Sequence, residues 1–407
     1  MTWEPFVPDW SVSEVDAAGL WADCGGQWLT DPEVGVPVDL VARVVGITTW
    51  LDQAGAGLTD LFGNLGTGVL TERAATQRLR RSGRVSCGEA SRLVRCVDGW
   101  LAVSLARPDD FAAVPAWLGI DSCEWSAVES ALAATTVKAT VERAALLGIA
   151  CAEVGERVAS GSGLQLESLG AAAPAPLREL VVANLASLWA GPLAADVLAR
   201  CGARVISIES TSRPDGARAW PAFFDDLHGR CESVALDFTD EGDRRRLAAL
   251  LQHVDVVIEG SRPRALEQLG IDARALTHNG PRLWVSITGH GREEPYAHRI
   301  GFGDDAAAAG GLVGCVNGEP RFLADAIADP LTGLTVAAAV VQLAARGGRW
   351  LIDAPLAGVA AAHVGSAPTV VARPDPKPPM RRRERGNTVP LGRDTKRVLA
   401  EFGIINQ

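Results

Sequence analysis

A chain of 407 residues with 47% apolar and 22% charged content has material for more than one packed region and too many apolar residues for a disordered chain. Its formal charge of -10 argues against a general nucleic-acid partner, because such affinity comes from neutralising phosphates. The 8 cysteines are scattered singly, with no Cys-x-x-Cys pair and no histidine at ligand spacing, so no metal is expected and buried, reduced thiols are.

Met1–Trp10 carries neither a basic segment nor an apolar core of signal-peptide type. The apolar runs are short or broken by charge, so a cytoplasmic protein without a membrane partner is expected. Residues 1–95 are rich in Ala, Gly and Val with helical periodicity, and Val38–Leu51 reads as a largely buried helix. Arg73, Arg78, Arg80, Arg81, Arg84 and, beyond a Ser-Cys-Gly turn, Arg92 read as a solvated basic face. Leu93–Leu105 predicts a hairpin turning at Asp98-Gly99. Pro108–Leu118 predicts a helix, and Glu142–Glu153 another helix followed by an apolar run.

Gly161–Pro176, with Gly-Ser-Gly and then Ala-Ala-Ala-Pro-Ala-Pro, marks a boundary. The expected division is an N-terminal region 1–160, a linker 161–178, a large domain 179–370, and a second linker with a tail helix over 371–407. Within the large domain, strands are predicted at Leu180–Leu185, Ala203–Glu209, Ser233–Phe238, Val254–Glu259 and Arg282–Thr288. Helices are predicted at Pro192–Cys201, Asp240–His253 and Pro263–Leu269. Strands and helices alternate at the spacing of parallel βαβ units, and the strands are apolar along their length. The fold class is α/β: an open Rossmann-like parallel sheet plus a smaller α+β domain. No Gly-x-Gly-x-x-Gly follows the first strand and there is no phosphate-loop lysine, which leaves a nicotinamide or nucleoside-triphosphate site little support.

Asp329 stands out at the junction between Ala324-Asp-Ala-Ile-Ala-Asp-Pro-Leu-Thr-Gly333 and the helix-like run Leu334–Leu343. Taken alone, an aspartate at a helix start is an N-cap more often than a reactive group. Backbone amides at a helix start also favour negative charge beside it.

The large domain carries in register Leu185–Pro192, Leu198–Glu209, Arg213–Gly216, His228–Asp237, Val254–Pro263, Leu266–Ile271, Ser286–Gly291, Pro295-Tyr296 and Ala328–Gly333. This succession resembles family III CoA-transferases, which include formyl-CoA transferase, carnitine CoA-transferases and alpha-methylacyl-CoA racemase. The resemblance covers about residues 180–357. It implies coenzyme A as acyl carrier, acyl-CoA and carboxylic acid substrates, a homodimer with interlaced chains, and a place in fatty-acid metabolism. It also implies that Asp329 is the nucleophile, passing through an acyl–aspartyl anhydride and an aspartyl-CoA thioester.

By the same resemblance Trp189, Ala190 and Gly191 lie beside the CoA thiol. Arg213 and Arg218 face the CoA phosphates, Gly260 and Ser261 belong to the CoA-binding turn, and Gly310-Gly311 matches a glycine loop over the active site. The sequence departs from the family at Leu227-His-Gly-Arg230 and at Glu259-Gly-Ser, where the family's Asn and Phe are missing. Phe302 stands where racemase members carry a catalytic histidine. His290 and His298 read as loop or surface residues. The alternatives are an acyl-CoA racemase or isomerase, and a CoA-binding subunit with weakened catalysis.

Chain order is unusual. Arg92–Val103, Val114–Gly119 and Leu147–Val154 resemble the family's small domain yet precede the large one, while Pro390–Leu399 resembles its tail. Asp16–Thr30 faintly echoes Asp305–Gly318, and Val38–Leu51 echoes the helix after Asp329. A permuted or fused and trimmed chain is expected, with one catalytic carboxylate and with the N-terminal region packed on a large domain.

Overall fold

The structure is a computed structural model that describes residues 3–404 apart from 9, 11–13, 159, 262, 277–279, 367, 368, 371, 372 and 374. The N-terminal segment contains β1 (Glu4–Pro5), α1 (Ala17–Asp23), β2 (Val36–Pro37), α2 (Val38–Gln53), α3 (Leu58–Phe62) and α4 (Glu72–Gln77). Next come β3 (Ser91–Arg95), β4 (Trp100–Ser104), α5 (Pro108–Leu118), α6 (Trp125–Leu132), α7 (Val137–Leu147) and β5 (Ala150–Glu153). β3, β4 and β5 form an antiparallel sheet, with Asp98-Gly99 in the β3–β4 turn as predicted. This α+β unit has its own core, in which Leu101, Val103, Val114, Trp117, Val128 and Leu132 are buried.

The remainder contains β6 (Gln165–Gly170), β7 (Val181–Asn184), α8 (Ala190–Arg200), β8 (Arg204–Ser210), α9 (Pro221–His228), β9 (Glu232–Leu236), α10 (Glu241–Gln252), β10 (Val256–Glu259) and α11 (Pro263–Gln268). It continues through β11 (Leu283–Thr288), α12 (Gly303–Ala309), β12 (Val313–Val316), β13 (Glu319–Phe322), α13 (Ala328–Arg346), β14 (Arg349–Pro355), α14 (Leu356–Val364), β15 (Thr369–Val370) and α15 (Thr395–Glu401). The large sheet has the order β1-β6-β14-β11-β10-β7-β8-β9. From β14 to β9 every neighbouring pair is parallel. That is the doubly wound order, with its reversal between β7 and β10. Its central strands are buried along both faces, which explains their continuous apolar runs.

Two segments differ from the sequence expectation. Gln165–Gly170, inside the expected linker, is strand β6 and pairs antiparallel with β14. Residues 375–394 lack regular structure, yet they are tied down: Lys377 N donates to Ala22 O, Arg383 N to Leu61 O and Asp394 N to Ser233 O. The N-terminal segment shares a core with the large sheet, since Leu40, Val44, Ile47 and Leu70 belong to the same buried cluster as Leu193, Val197, Leu331 and Val336. By length and composition α13 could cross a membrane, but it is buried mostly inside this core. Among the described residues all 8 cysteines are free; Cys315 is exposed, contrary to the expectation of burial.

Arg382 fixes these parts to one another. Its guanidinium is fully buried and donates to Glu72 of α4, to Asp196 of α8 (2.7 Å) and to the Asp226 carbonyl of α9. Removing it strands the buried Glu72 carboxylate and leaves Asp196 to Arg200, so Arg382→Ala is expected to cost about 3–5 kcal/mol of stability, read by chemical denaturation. Loss of under about 1 kcal/mol would show that the strap contributes little.

Candidate active site

In a doubly wound sheet ligands sit beyond the carboxyl ends of the strands, at the point of order reversal. Here that point is bounded by residues 185–190 after β7 and by residues 260 and 261 after β10. A Cβ on Gly191 would overlap Ala186, and one on Gly260 would lie 3.4 Å from Ala186, so the two glycines allow these turns to approach each other closely. Trp189 is buried against Phe223 with ring centroids 5.5 Å apart, and Ala190 and Gly191 open α8. Glu259, buried at the end of β10, accepts from Ser261 N (2.8 Å) and from Ser286 and Arg292. Burial raises its carboxyl above the ordinary range.

α13 leads to the same place. Its Gly333 lies so close to α8 that a Cβ would stand 2.7 Å from Ala190 O, and Asp329 lies one turn earlier on the helix. Asp329 does not cap α13. The N-cap is Ile327, and among the described residues no hydrogen bond reaches the Asp329 carboxylate. The residue is partly open to solvent. Gly303, the first residue of α12, abuts it, and any Cβ there would overlap Asp329 Oδ2.

Three more carboxylates lie around Asp329. Asp304 accepts from Ala326 N (2.8 Å) and Ser91 (3.2 Å), Asp305 from Ser104 (2.7 Å) and Phe302 N (3.0 Å), and Asp325 from Arg73. Arg73 holds Asp325 with both prongs, at 2.8 and 2.5 Å, and its guanidinium stands 5.8 Å over the Trp189 ring. Desolvation pushes Asp329 up to about 7; Arg73 opposes this, while Asp304, Asp325 and Asp305 add to it. Burial likewise lifts Asp305 to about 7 and raises Asp304. The group therefore offers one accessible carboxylate, ionisable near neutrality, beside a fixed cation. Such a carboxylate can act as nucleophile or base.

The sequence-predicted residues divide. Trp189, Ala190, Gly191, Gly260 and Ser261 meet at the reversal point, and Asp329 joins them through the contact of α13 with α8. Arg218 is committed elsewhere: it pairs with Glu209 (2.8 and 2.6 Å) and stacks 4.2 Å over Phe224. Gly310 ends α12 in tight contact with α14, where a Cβ would meet Ala360 and Ala361 N at 2.6 Å, and Gly311 follows in the left-handed region at φ 85°. These two glycines thus serve helix packing. Arg213, exposed and with no ion pair among the described residues, lines a cleft of about 1360 Å³. Arg107, Leu146, Leu147, Tyr296 and Arg299 line it as well.

Asp329 is not on the cleft wall, but the Arg107 guanidinium lies 5.6 Å over Phe302, the residue before Gly303. Arg73 overturns the expectation of a uniformly solvated basic face. Arg78, Arg80, Arg81 and Arg84 are exposed, whereas the Arg73 side chain is 21% exposed and ion-paired. His290 lies in the loop after β11, as expected, and is fully buried there, while His298 is exposed beside Glu294. Among the described residues no group of His, Cys, Asp or Glu side chains is arranged to hold a metal.

The fold and this site define an open α/β protein that places a desolvated carboxylate near the switch point of a doubly wound sheet. The CoA-transferase family III profile matches residues 177–390, and the chain belongs to that family. The succinate–glutarate CoA-transferase of Agrobacterium fabrum is 32% identical over 183 residues, 40% of this chain and 46% of the relative. The acetyl-CoA:oxalate CoA-transferase of Acetobacter aceti is 30% identical over 146 residues, 34% of this chain and 38% of the relative. A solved CAIB/BAIF family protein from Brucella suis is 30% identical, with TM-score 0.42 over 46% of this chain and 55% of that one. The chain thus spans less than half the length of these curated relatives.

The raised Asp329 carboxyl has a signed consequence. The folded protein binds this proton more tightly than the unfolded chain does. The group's contribution to stability is therefore complete below its ordinary value of 3.8 and is lost as pH rises through about 7. Asp329→Asn is expected to raise the melting temperature at pH 8 by about 2 °C, with the gain disappearing near pH 4. A variant destabilised at pH 8 would contradict this placement.

Proposed function

We propose that this protein transfers CoA from an acyl-CoA to a carboxylic acid, with Asp329 as the nucleophile. The observation that carries the reading is the Asp329 carboxylate itself: partly open, without a hydrogen bond among the described residues, and desolvated, in a segment matched by the family profile. One Asp329 oxygen attacks the thioester carbonyl and the CoA thiolate leaves, giving a mixed anhydride. The thiolate then attacks the Asp329 carbonyl carbon, which releases the donor carboxylate and leaves an aspartyl-CoA thioester. The acceptor carboxylate reverses these steps, so no proton is consumed overall. The anhydride conserves the energy of the thioester, which is why a carboxylate suits the exchange.

Arg73 supports this chemistry from the N-terminal segment. Its charge favours the ionised nucleophile and stabilises an oxyanion formed beside it. The cleft lined by Arg107, Arg213 and Arg299 suits the CoA nucleotide, with the exposed Arg213 toward its phosphates. Tyr296, Leu146 and Leu147 supply apolar wall for the pantetheine arm. A homodimer, as in the family resemblance, belongs to the same proposal and is checked by light scattering.

The deciding experiment is exchange of labelled CoA across a panel of mono- and dicarboxylic acids, run beside Asp329→Asn. Exchange is expected to fall by more than about 1000-fold in the variant, and hydroxylamine trapping of enzyme mixed with acyl-CoA should mark Asp329. Near-normal turnover of Asp329→Asn would end the assignment. Deuterium entering the substrate α carbon without an acceptor acid would favour a racemase or isomerase instead. Arg73→Gln, made in an Asp325→Asn background so that no buried charge is stranded, is expected to lower exchange by about 100-fold. It should also shift the acid limb of the rate profile to higher pH, because the cation opposing the raised Asp329 carboxyl is gone.

A further inference from the structure

The β3–β4–β5 unit carries a basic hollow of about 460 Å³ at the edge of its sheet. It shares no lining residue with the cleft that holds Arg213. β3 is the edge strand. The Ser82–Val85 turn covers it as far as Leu93, whose N donates to Arg84 O (2.9 Å), and leaves Val94 and Arg95 at the wall of the hollow. Cys96 N bonds across to Gly99 O (2.9 Å), so the alternation of an antiparallel pair turns the Arg95 N–H away from β4, to the edge.

Three arginines line the hollow. Arg84 and Arg95 stand 5.8 and 5.5 Å from the same ring, that of Trp100, and Arg92 lies 4.7 Å over Trp125 of α6. Stacking fixes a guanidinium plane without using its N–H groups. Arg92 Nη1 donates to Glu129 (2.8 Å), while its buried Nε has no acceptor among the described residues. A buried donor of a cation is costly to leave unpaired. Arg84 and Arg95 are exposed and have no ion pair among the described residues. Glu129 is the single carboxylate on the wall, which therefore has an excess of positive charge on a chain whose formal charge is -10.

We propose that this hollow binds a small phosphate monoester. Such a group presents three acceptor oxygens and close to two negative charges near neutrality. Two guanidinium forks without a carboxylate partner and the edge N–H of Arg95 match those oxygens, and the charge of the wall matches the dianion. A single carboxylate, with two oxygens and one charge, would leave part of this donor set unused. The hollow is large enough to take a small organic body beside the phosphate, against Val85 and Ala133. The ligand competes with Glu129 for Arg92.

The test is calorimetric titration of the full-length protein with glycerol 3-phosphate at about pH 8, where the monoester is a dianion. One site is expected, weakening by at least about 5-fold between roughly 20 and 200 mM sodium chloride. Arg84→Gln and Arg95→Gln alter exposed side chains, so folding is kept. Each is expected to weaken binding by about 5-fold, and the two together by about 25-fold. Glu129→Gln frees Arg92 and should tighten binding by about 3-fold. Arg80→Gln with Arg81→Gln, exposed arginines outside the hollow, should leave it unchanged. No binding up to about 20 mM ligand would overturn the proposal. So would succinate binding as tightly, or equal weakening by the Arg80 and Arg81 substitutions. Displacement of glycerol 3-phosphate by CoA would make the hollow part of the acyl-CoA site and overturn it as well. The titration needs no acid exchange, so this inference and the CoA-transfer reading fail separately.

Discussion

A negative charge on Asp329 depends on the guanidinium of Arg73. Asp304, Asp305 and Asp325 crowd the same desolvated space, and burial favours the neutral acid for a carboxyl in such surroundings. Arg73 neutralises Asp325 through a two-pronged bond and remains close enough to favour ionised Asp329. Without that cation, the carboxylate at the switch point would be a protonated acid across most of the physiological range. It would then be a poor nucleophile.

This dependence explains why the N-terminal segment belongs to the site although the family profile begins at residue 177. Arg73 lies on α4, which the buried Arg382 strap joins to α8 and α9. α8 in turn lies under α13, which carries Asp329. One rigid polar link therefore sets the position of the cation, the Trp189 turn and the Asp329 carboxylate. Gly303 acts in the same direction, since the lack of a side chain lets α12 bring Asp304 and Asp305 against Asp329. A buried polar network held this way fixes one arrangement, because every alternative strands a charge away from water.

Local pattern was enough to read the parallel sheet and its helices. Apolar runs such as Val256–Glu259 and Leu283–Thr288 can be buried only between layers, and the Asp-Gly turn of the β3–β4 hairpin is a property of two adjacent residues. Asp329, the Trp189–Gly191 turn and Gly260-Ser261 were legible because each sits at a strand-to-helix or loop-to-helix junction within a motif. Arg73 was not, because a run of arginines looks the same whether one of them faces inward or all face water. Gln165–Gly170 hid inside a Gly- and Pro-flanked stretch, since an antiparallel edge strand takes its identity from its partner β14.

From the order of its residues alone, this chain announces its fold class, its family and the aspartate on which a mechanism would turn. These follow from periodicity and junction chemistry, which act over a few residues at a time. The packed molecule settles the remainder: Arg73 beside Asp329, Arg218 spent on Glu209, Gly310 closed against α14, and His290 sealed from water. A side chain's charge and availability depend on desolvation and on partners up to hundreds of positions away. Those are brought together only when the chain is packed.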